Sequence, residues 1–122
     1  ETQIAALRIK TRSPRALANE LSGGNQQKVV IGKWLLADPK VLVLDEPTRG
    51  VDVGAKVEIY ELVNRMTAAG RAVLLVSSDL PEVIGMSDRI VVMAHGRVAG
   101  ELPAVGTTQD QVMALAVQEI PA

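Results

Sequence analysis

The sequence predicts an α/β fold with a parallel-sheet core and a small antiparallel appendage. Two apolar runs, Val41–Leu44 and Ala72–Val76, are too short for helices and rich in β-formers. Between them Ile59, Leu62, Val63 and Met66 form one helical stripe, so strand, helix and strand alternate as in a crossover unit. Further on, His95-Gly96 separates two short β-type runs in the pattern of a hairpin.

In chain order, the first twenty residues are mixed and interrupted by Pro14, and Ala5–Ile9 reads as a short strand or a helix end. From Asn25 to Ala37 the pattern is helical, with Val29, Val30, Lys33 and Trp34 recurring at three-to-four spacing and Asp38-Pro39 ending the run. Val41–Leu44 is continuously apolar, the mark of a strand buried on both faces. Asp52 can cap the helix that follows, and Gly70 suits its C′ position. After the second strand, Asp79 with Glu82 three residues on and Pro81 in the first turn opens a short helix. Arg89–Met93 and Arg97–Leu102 form the arms of the hairpin, and Thr108 with Gln111 caps a last helix reaching Val117.

Composition sets the outer limits. The 122 residues have room for one domain and one core, and 48% hydrophobic residues fit a globular chain. Aromatics are only 2%, so aliphatic side chains must carry the interior. A formal net charge of −1 gives no broad basic surface, so no nucleic-acid partner is expected. Without cysteine there is no disulfide framework and no thiolate metal site, which is compatible with a reducing compartment. The apolar runs are far too short to cross a bilayer, and no signal peptide is visible. The chain opens on Glu1 rather than Met, as expected of a segment or a processed product.

Two stretches carry chemistry. In Leu21-Ser22-Gly23-Gly24-Asn25-Gln26-Gln27-Lys28, a serine and two glycines sit where a helix begins. Backbone N–H groups and the positive dipole end suit an anion such as phosphate, and glycine lets the backbone approach closely. The Ser22 hydroxyl can donate to the same anion, although helix capping alone also accounts for a serine there. In Val41-Leu42-Val43-Leu44-Asp45-Glu46-Pro47-Thr48, two carboxylates end a buried strand, at the crevice where α/β folds bind ligands. Asp45 can hold Mg²⁺ through water, and Glu46 can polarise an attacking water. Strand alternation would send the two side chains to different sides. A solvated strand end is the plainer alternative. His95 reads as a turn residue, Trp34 as core or interface packing, and Lys28 and Lys33 as solvated.

Taken together and in this order, the two stretches resemble the ABC ATPase family, with likeness running from about Leu21 to Leu102. Leu21–Asn25 looks like the family's signature motif, Val41–Glu46 like its Walker B strand, and Arg49-Gly50-Val51-Asp52 like the D-loop that couples two ATP sites across a dimer. Asn25-Gln26-Gln27-Lys28, Thr48–Lys56, Ser77–Val83 and the region around Thr108–Ala116 narrow the likeness to the second ATPase half of bacterial monosaccharide importers of the ribose, galactose and xylose type.

The resemblance implies a partial P-loop NTPase domain whose phosphate-loop strand and helix are missing. Residues 1–122 would be its C-terminal part, with the signature helix at about 21–37, Walker B and D-loop at 41–52, a switch region at 72–79, and a hairpin and helix at 89–117. It implies an ATPase using ATP and Mg²⁺, with Glu46 catalytic and Asp45 on the metal. Ser22, Gly23, Gly24 and Asn25 would contact the ATP held by an opposing ATPase half, and Asp52 would serve the D-loop. The implied partners are that half, transmembrane permease subunits and, indirectly, a periplasmic sugar-binding protein. The implied location is peripheral, on the cytoplasmic face of the bacterial inner membrane.

Three departures qualify the likeness. Ser78 stands where most of the family has a histidine that contacts the γ-phosphate, and a hydroxyl lacks the reach of an imidazole. Asn25 replaces the usual signature glutamine. No G-x-x-x-x-G-K-[ST] occurs and no Q-loop is recognisable, so this stretch alone makes no complete ATP site and is expected to be inactive. Two other readings stay open: a non-transport ABC ATPase acting as a mechanical switch, and a non-catalytic module whose signature completes another site.

Overall fold

A computed structural model describes residues 2–118 of the chain. They fold into two compact units divided between Leu74 and Leu75, inside a strand.

The first unit opens with a short helix where strand and helix end were both open: α1 covers Thr2–Ala6. A 3₁₀ turn at Ala18–Glu20 leads into α2, Gly23–Leu35, with Ser22 in the extended N-cap position. β1, Val41–Asp45, is followed by α3, Val53–Ala68, and by β2, Ala72–Val76, which pairs with β1 in a parallel sheet. The expected local signals are in place. Asp52 accepts the Ala55 N–H as N-cap of α3 at 2.9 Å, and Gly70 follows the helix with φ +83°. Ile59, Leu62, Val63 and Met66 are all buried, so the α3 stripe faces the interior.

Two expectations fail here. β1 is not buried on both faces: Leu42 and Leu44 are enclosed, but Val41 and Val43 are 59% and 61% exposed. Leu74 and Val76 of β2 are exposed as well. The apolar run encodes a strand suited to cover on two sides, and the described residues cover one. On α2 the predicted stripe is the outer face. Val30 and Trp34 are exposed, while Gly24, Lys28, Ile31 and Gly32 are buried. Glycines let neighbouring segments approach: a Cβ on Gly32 would lie 2.5 Å from the Leu7 side chain.

The second unit begins after Leu74. α4, Leu80–Met86, has Asp79 as N-cap accepting the Glu82 N–H at 3.2 Å, with Pro81 in the first turn. β3, Arg89–Ala94, and β4, Arg97–Pro103, form the hairpin. Its two loop residues, His95 and Gly96, have φ of +50° and +75°, as a type I′ turn requires. The pairing shifts between Val92 and Met93, leaving Ala99 as the extra residue of a bulge. α5, Gln109–Ala116, starts with a full capping box between Thr108 and Gln111. Ile90, Val92, Ala104 and Val112 make the core of this unit, with Leu80, Val83 and Leu115 packed against it.

Candidate nucleotide-facing site

The start of α2 is open. Ser22 sits at the N-cap, yet its side chain takes no backbone N–H of the first turn. Its Oγ instead accepts a 2.8 Å bond from the Asn25 amide, whose Oδ1 accepts the Lys10 N–H at 2.9 Å. The capping explanation for Ser22 is therefore set aside. The hydroxyl is held by Asn25, and the exposed Ser22-Gly23 edge presents first-turn N–H groups that no side chain caps.

This edge lies beside the turn that leads into α3. A Cβ on Gly23 would stand 3.6 Å from the Gly50 carbonyl oxygen, and one on Gly24 would fall onto the Ala55 Cβ. Only glycine at position 24 permits that approach. Gly50 itself has φ +73°, in a run of turns closed by the Arg49 N–H to Glu46 C=O and the Val51 N–H to Thr48 C=O. The first unit thus gathers Ser22, Gly23, Gly24 and Asn25 next to Gly50–Asp52.

Asp45 ends β1 with its side chain exposed, and the half-buried Glu46 follows outside the strand. Glu46 has φ +46°, a left-handed conformation costly for any residue with a Cβ, and it precedes the buried Pro47 and Thr48. Glu46 therefore lies past the end of the pleat, and strand alternation does not govern its side chain. Ser78 belongs to the second unit. It is exposed and lies between Ser77, whose Oγ accepts the Asp79 N–H at 3.1 Å, and the cap of α4.

The family model described as "ABC transporter" matches residues 1–49. The ribose import ATP-binding protein RbsA 2 of Streptomyces coelicolor is 80% identical over 97 residues, which is 80% of this chain and 19% of that protein. The ribose import ATP-binding protein RbsA of Bacillus subtilis is 61% identical over 113 residues, 93% of this chain and 23% of that protein. A nucleotide-free ATP-binding cassette from an ABC transporter superposes with a TM-score of 0.81 at 28% identity, covering 97% of this chain and 48% of that one. This segment is similar to the ATP-binding proteins of ABC transporters. A dimeric ATP-binding cassette in a post-hydrolysis state, bound to ADP and phosphate, is also similar, with a TM-score of 0.74 at 26% identity over 87% of this chain and 46% of that one. The chain spans about a fifth of the length of the curated relatives it matches.

ABC transporter proteins of this kind bind nucleotide, and the parallel-sheet α/β architecture expected of a partial domain is the one observed. Among the described residues no helix is long and apolar enough to cross a membrane. No cluster of three or more His, Cys, Asp or Glu residues able to hold a metal occurs among them. Mg²⁺ is characteristically held by one or two carboxylates together with substrate phosphates and water. Asp45, an exposed carboxylate at a strand end, fits such a role.

Two side chains depart from their sequence reading. Lys28 is not solvated but 3% exposed, ion-paired with Glu58 of α3 and donating to the Arg8 carbonyl at 3.1 Å. The Lys28 hydrogen bond, aided by the nearby Lys28, Lys10 and Arg8 charges, holds the Glu58 carboxyl below its usual range against the opposing effect of burial. Of the two readings of Trp34, core packing fails and interface packing stays open: it is 57% exposed, with the Lys33 ammonium 5.6 Å from its ring centroid. Lys33 is exposed, as expected. The Lys28–Glu58 pair was invisible to pattern reading because a lysine adds nothing to an apolar stripe and its partner lies thirty residues away.

Proposed function

We propose that this chain is part of the ATP-hydrolysing subunit that energises import of a monosaccharide through a membrane ABC transporter, and that its signature completes the ATP site of an opposing ATPase half. The observation that carries the reading is the uncapped α2 start set against Gly50 and Ala55, in a chain 80% identical to a ribose import ATP-binding protein. Ser22, Gly23 and Gly24 then meet the γ-phosphate held by the other half, with Ser22 Oγ oriented by Asn25. Asp52 and the preceding D-loop lie at the same edge and link the two sites. Within the site of its own half, Glu46 would polarise the attacking water and Asp45 would hold Mg²⁺ through water; Ser78 stands at the sequence position of the family's switch histidine. Bound Mg²⁺ neutralises charge on the phosphates. Permease subunits in the membrane receive the motion, a periplasmic binding protein delivers the sugar, and the subunit sits peripherally on the cytoplasmic face. The lack of histidine at Ser78 points to two unequal sites, the better one receiving this signature. Asn25–Lys28 and Ser78 favour this reading over a non-transport ABC ATPase.

The test is Glu46→Gln in the full-length subunit. The change keeps size and removes the charge, so hydrolysis should slow by about 10²-fold or more while nucleotide binding is spared. Unchanged turnover would mean that the site of this half is idle.

A further inference from the structure

Lys28 is a buried cation in the helix that presents the signature, with its side chain only 4% exposed. Its partner in the ion pair, Glu58, has a side chain 31% exposed, so the ammonium is desolvated while solvent weakens the attraction, and the pair is a poor source of stability. The placement of this pair gives it another use. One turn before Lys28, Gly24 abuts Ala55, and Ala55 donates its N–H to the Asp52 cap at the start of α3. One turn beyond Ala55, Glu58 takes the Lys28 ammonium. Lys28 also grips the Arg8 carbonyl, two residues before the Lys10 N–H that holds Asn25. Residues 8–10, the first two turns of α2 and the first two turns of α3 are therefore tied together directly behind Ser22-Gly23 and Gly50–Asp52.

We infer that Lys28, acting through Glu58, is a positioning residue that locks the signature turn to the D-loop, so that the two engage the opposing ATP as one rigid element. Lys28 touches no nucleotide. Its cation fixes the separation of α2 and α3, and that separation sets where Ser22-Gly23 stand relative to Asp52. The inference rests on the trans-acting signature proposed above. Alignment in the closed dimer is needed for the chemical step, whereas ATP is gripped mainly by the half that carries the phosphate loop. The effect should therefore fall on kcat and not on KM.

The experiment uses the full-length subunit, with kcat normalised to titrated active sites, KM for ATP, and Tm, for Lys28→Met, Lys28→Arg, Glu58→Gln and Ser22→Arg. Lys28→Met should lower kcat at least tenfold with KM within threefold of wild type. Lys28→Arg, which keeps the cation and both acceptors, should recover kcat to within threefold. Glu58→Gln keeps an acceptor and fills the same space, so it reports even if Lys28→Met does not fold; its kcat should fall severalfold at unchanged KM. A kcat per site equal to wild type in Glu58→Gln, with only Tm reduced, overturns the inference, as does a folded Lys28→Arg no more active than Lys28→Met. If Ser22→Arg retains turnover, the trans-acting reading fails and this inference with it. If Ser22→Arg is inactive while Lys28→Met and Glu58→Gln keep wild-type kcat, the positioning role alone is wrong.

Discussion

Ser22 and Ser78 have the same side chain and opposite expected weights. Ser22 stands at a helix start without a side-chain cap bond, where the proposed function has backbone N–H groups meet phosphate, and its hydroxyl is held by Asn25. Ser22→Arg places bulk and a mobile charge in that space, so turnover of the full-length subunit should drop by about 10²-fold or more, the scale of losing a preorganised donor set. Ser78→Ala removes a group too short to replace an imidazole and should change kcat by less than about threefold. Steady-state ATPase rates for the two variants decide the matter: a more damaging Ser78→Ala would reverse the assignment of the sites. Legibility differs just as sharply among residues. Asp52, Asp79 and Thr108 were readable as caps because each bonds an N–H three residues away, so the signal is local in sequence. The link from Asn25 to the Lys10 N–H and that from Lys28 to Glu58 span 15 and 30 residues, and no short window contains them. The left-handed Glu46 carries no sequence mark, since glutamate followed by proline predicts extended backbone.

At the scale of elements, the strands, the α3 stripe and the hairpin were legible from period and turn chemistry. The exposed face of α2 was not. Periodicity reports that one side of a helix is apolar, but it does not say which side the fold encloses. Here the enclosed side is built from Gly24, Asn25, Lys28, Ile31 and Gly32, and four of those five add no hydrophobic signal. The same side yields a prediction. Gly24→Ala introduces a methyl group where the Ala55 Cβ already lies, and both belong to helix walls that cannot swing aside. The expected cost is about 1–3 kcal/mol, typical of overpacking. Because α2 and α3 must separate, activity should fall further than the lowered Tm explains. Gly54→Ala is the comparison, since the nearest obstacle there is the Asp52 side chain at 3.2 Å. Equal thermal melts for the two variants would show that the helices do not approach as described.

At the scale of the molecule, β1 and β2 leave Val41, Val43, Leu74 and Val76 exposed. Apolar strand surface of this kind associates. The isolated 122-residue chain should therefore self-associate or melt below the full-length subunit, and it should bind ATP negligibly. Sedimentation and calorimetric titration test both statements; a monodisperse monomer with micromolar ATP affinity, about −8 kcal/mol, would contradict them. The second unit has a different history written into it. Its core residues Ile90, Val92, Ala104 and Val112 lie close together along the chain, joined by a two-residue turn and one short connection. The ties of the first unit reach as far as Arg8 to Glu61. Short loops close in microseconds or less and low contact order speeds assembly. The hairpin and α5 can thus acquire their shape before Ser22–Asn25 and Gly50–Asp52 find each other, so they are the part of the chain best placed to nucleate folding.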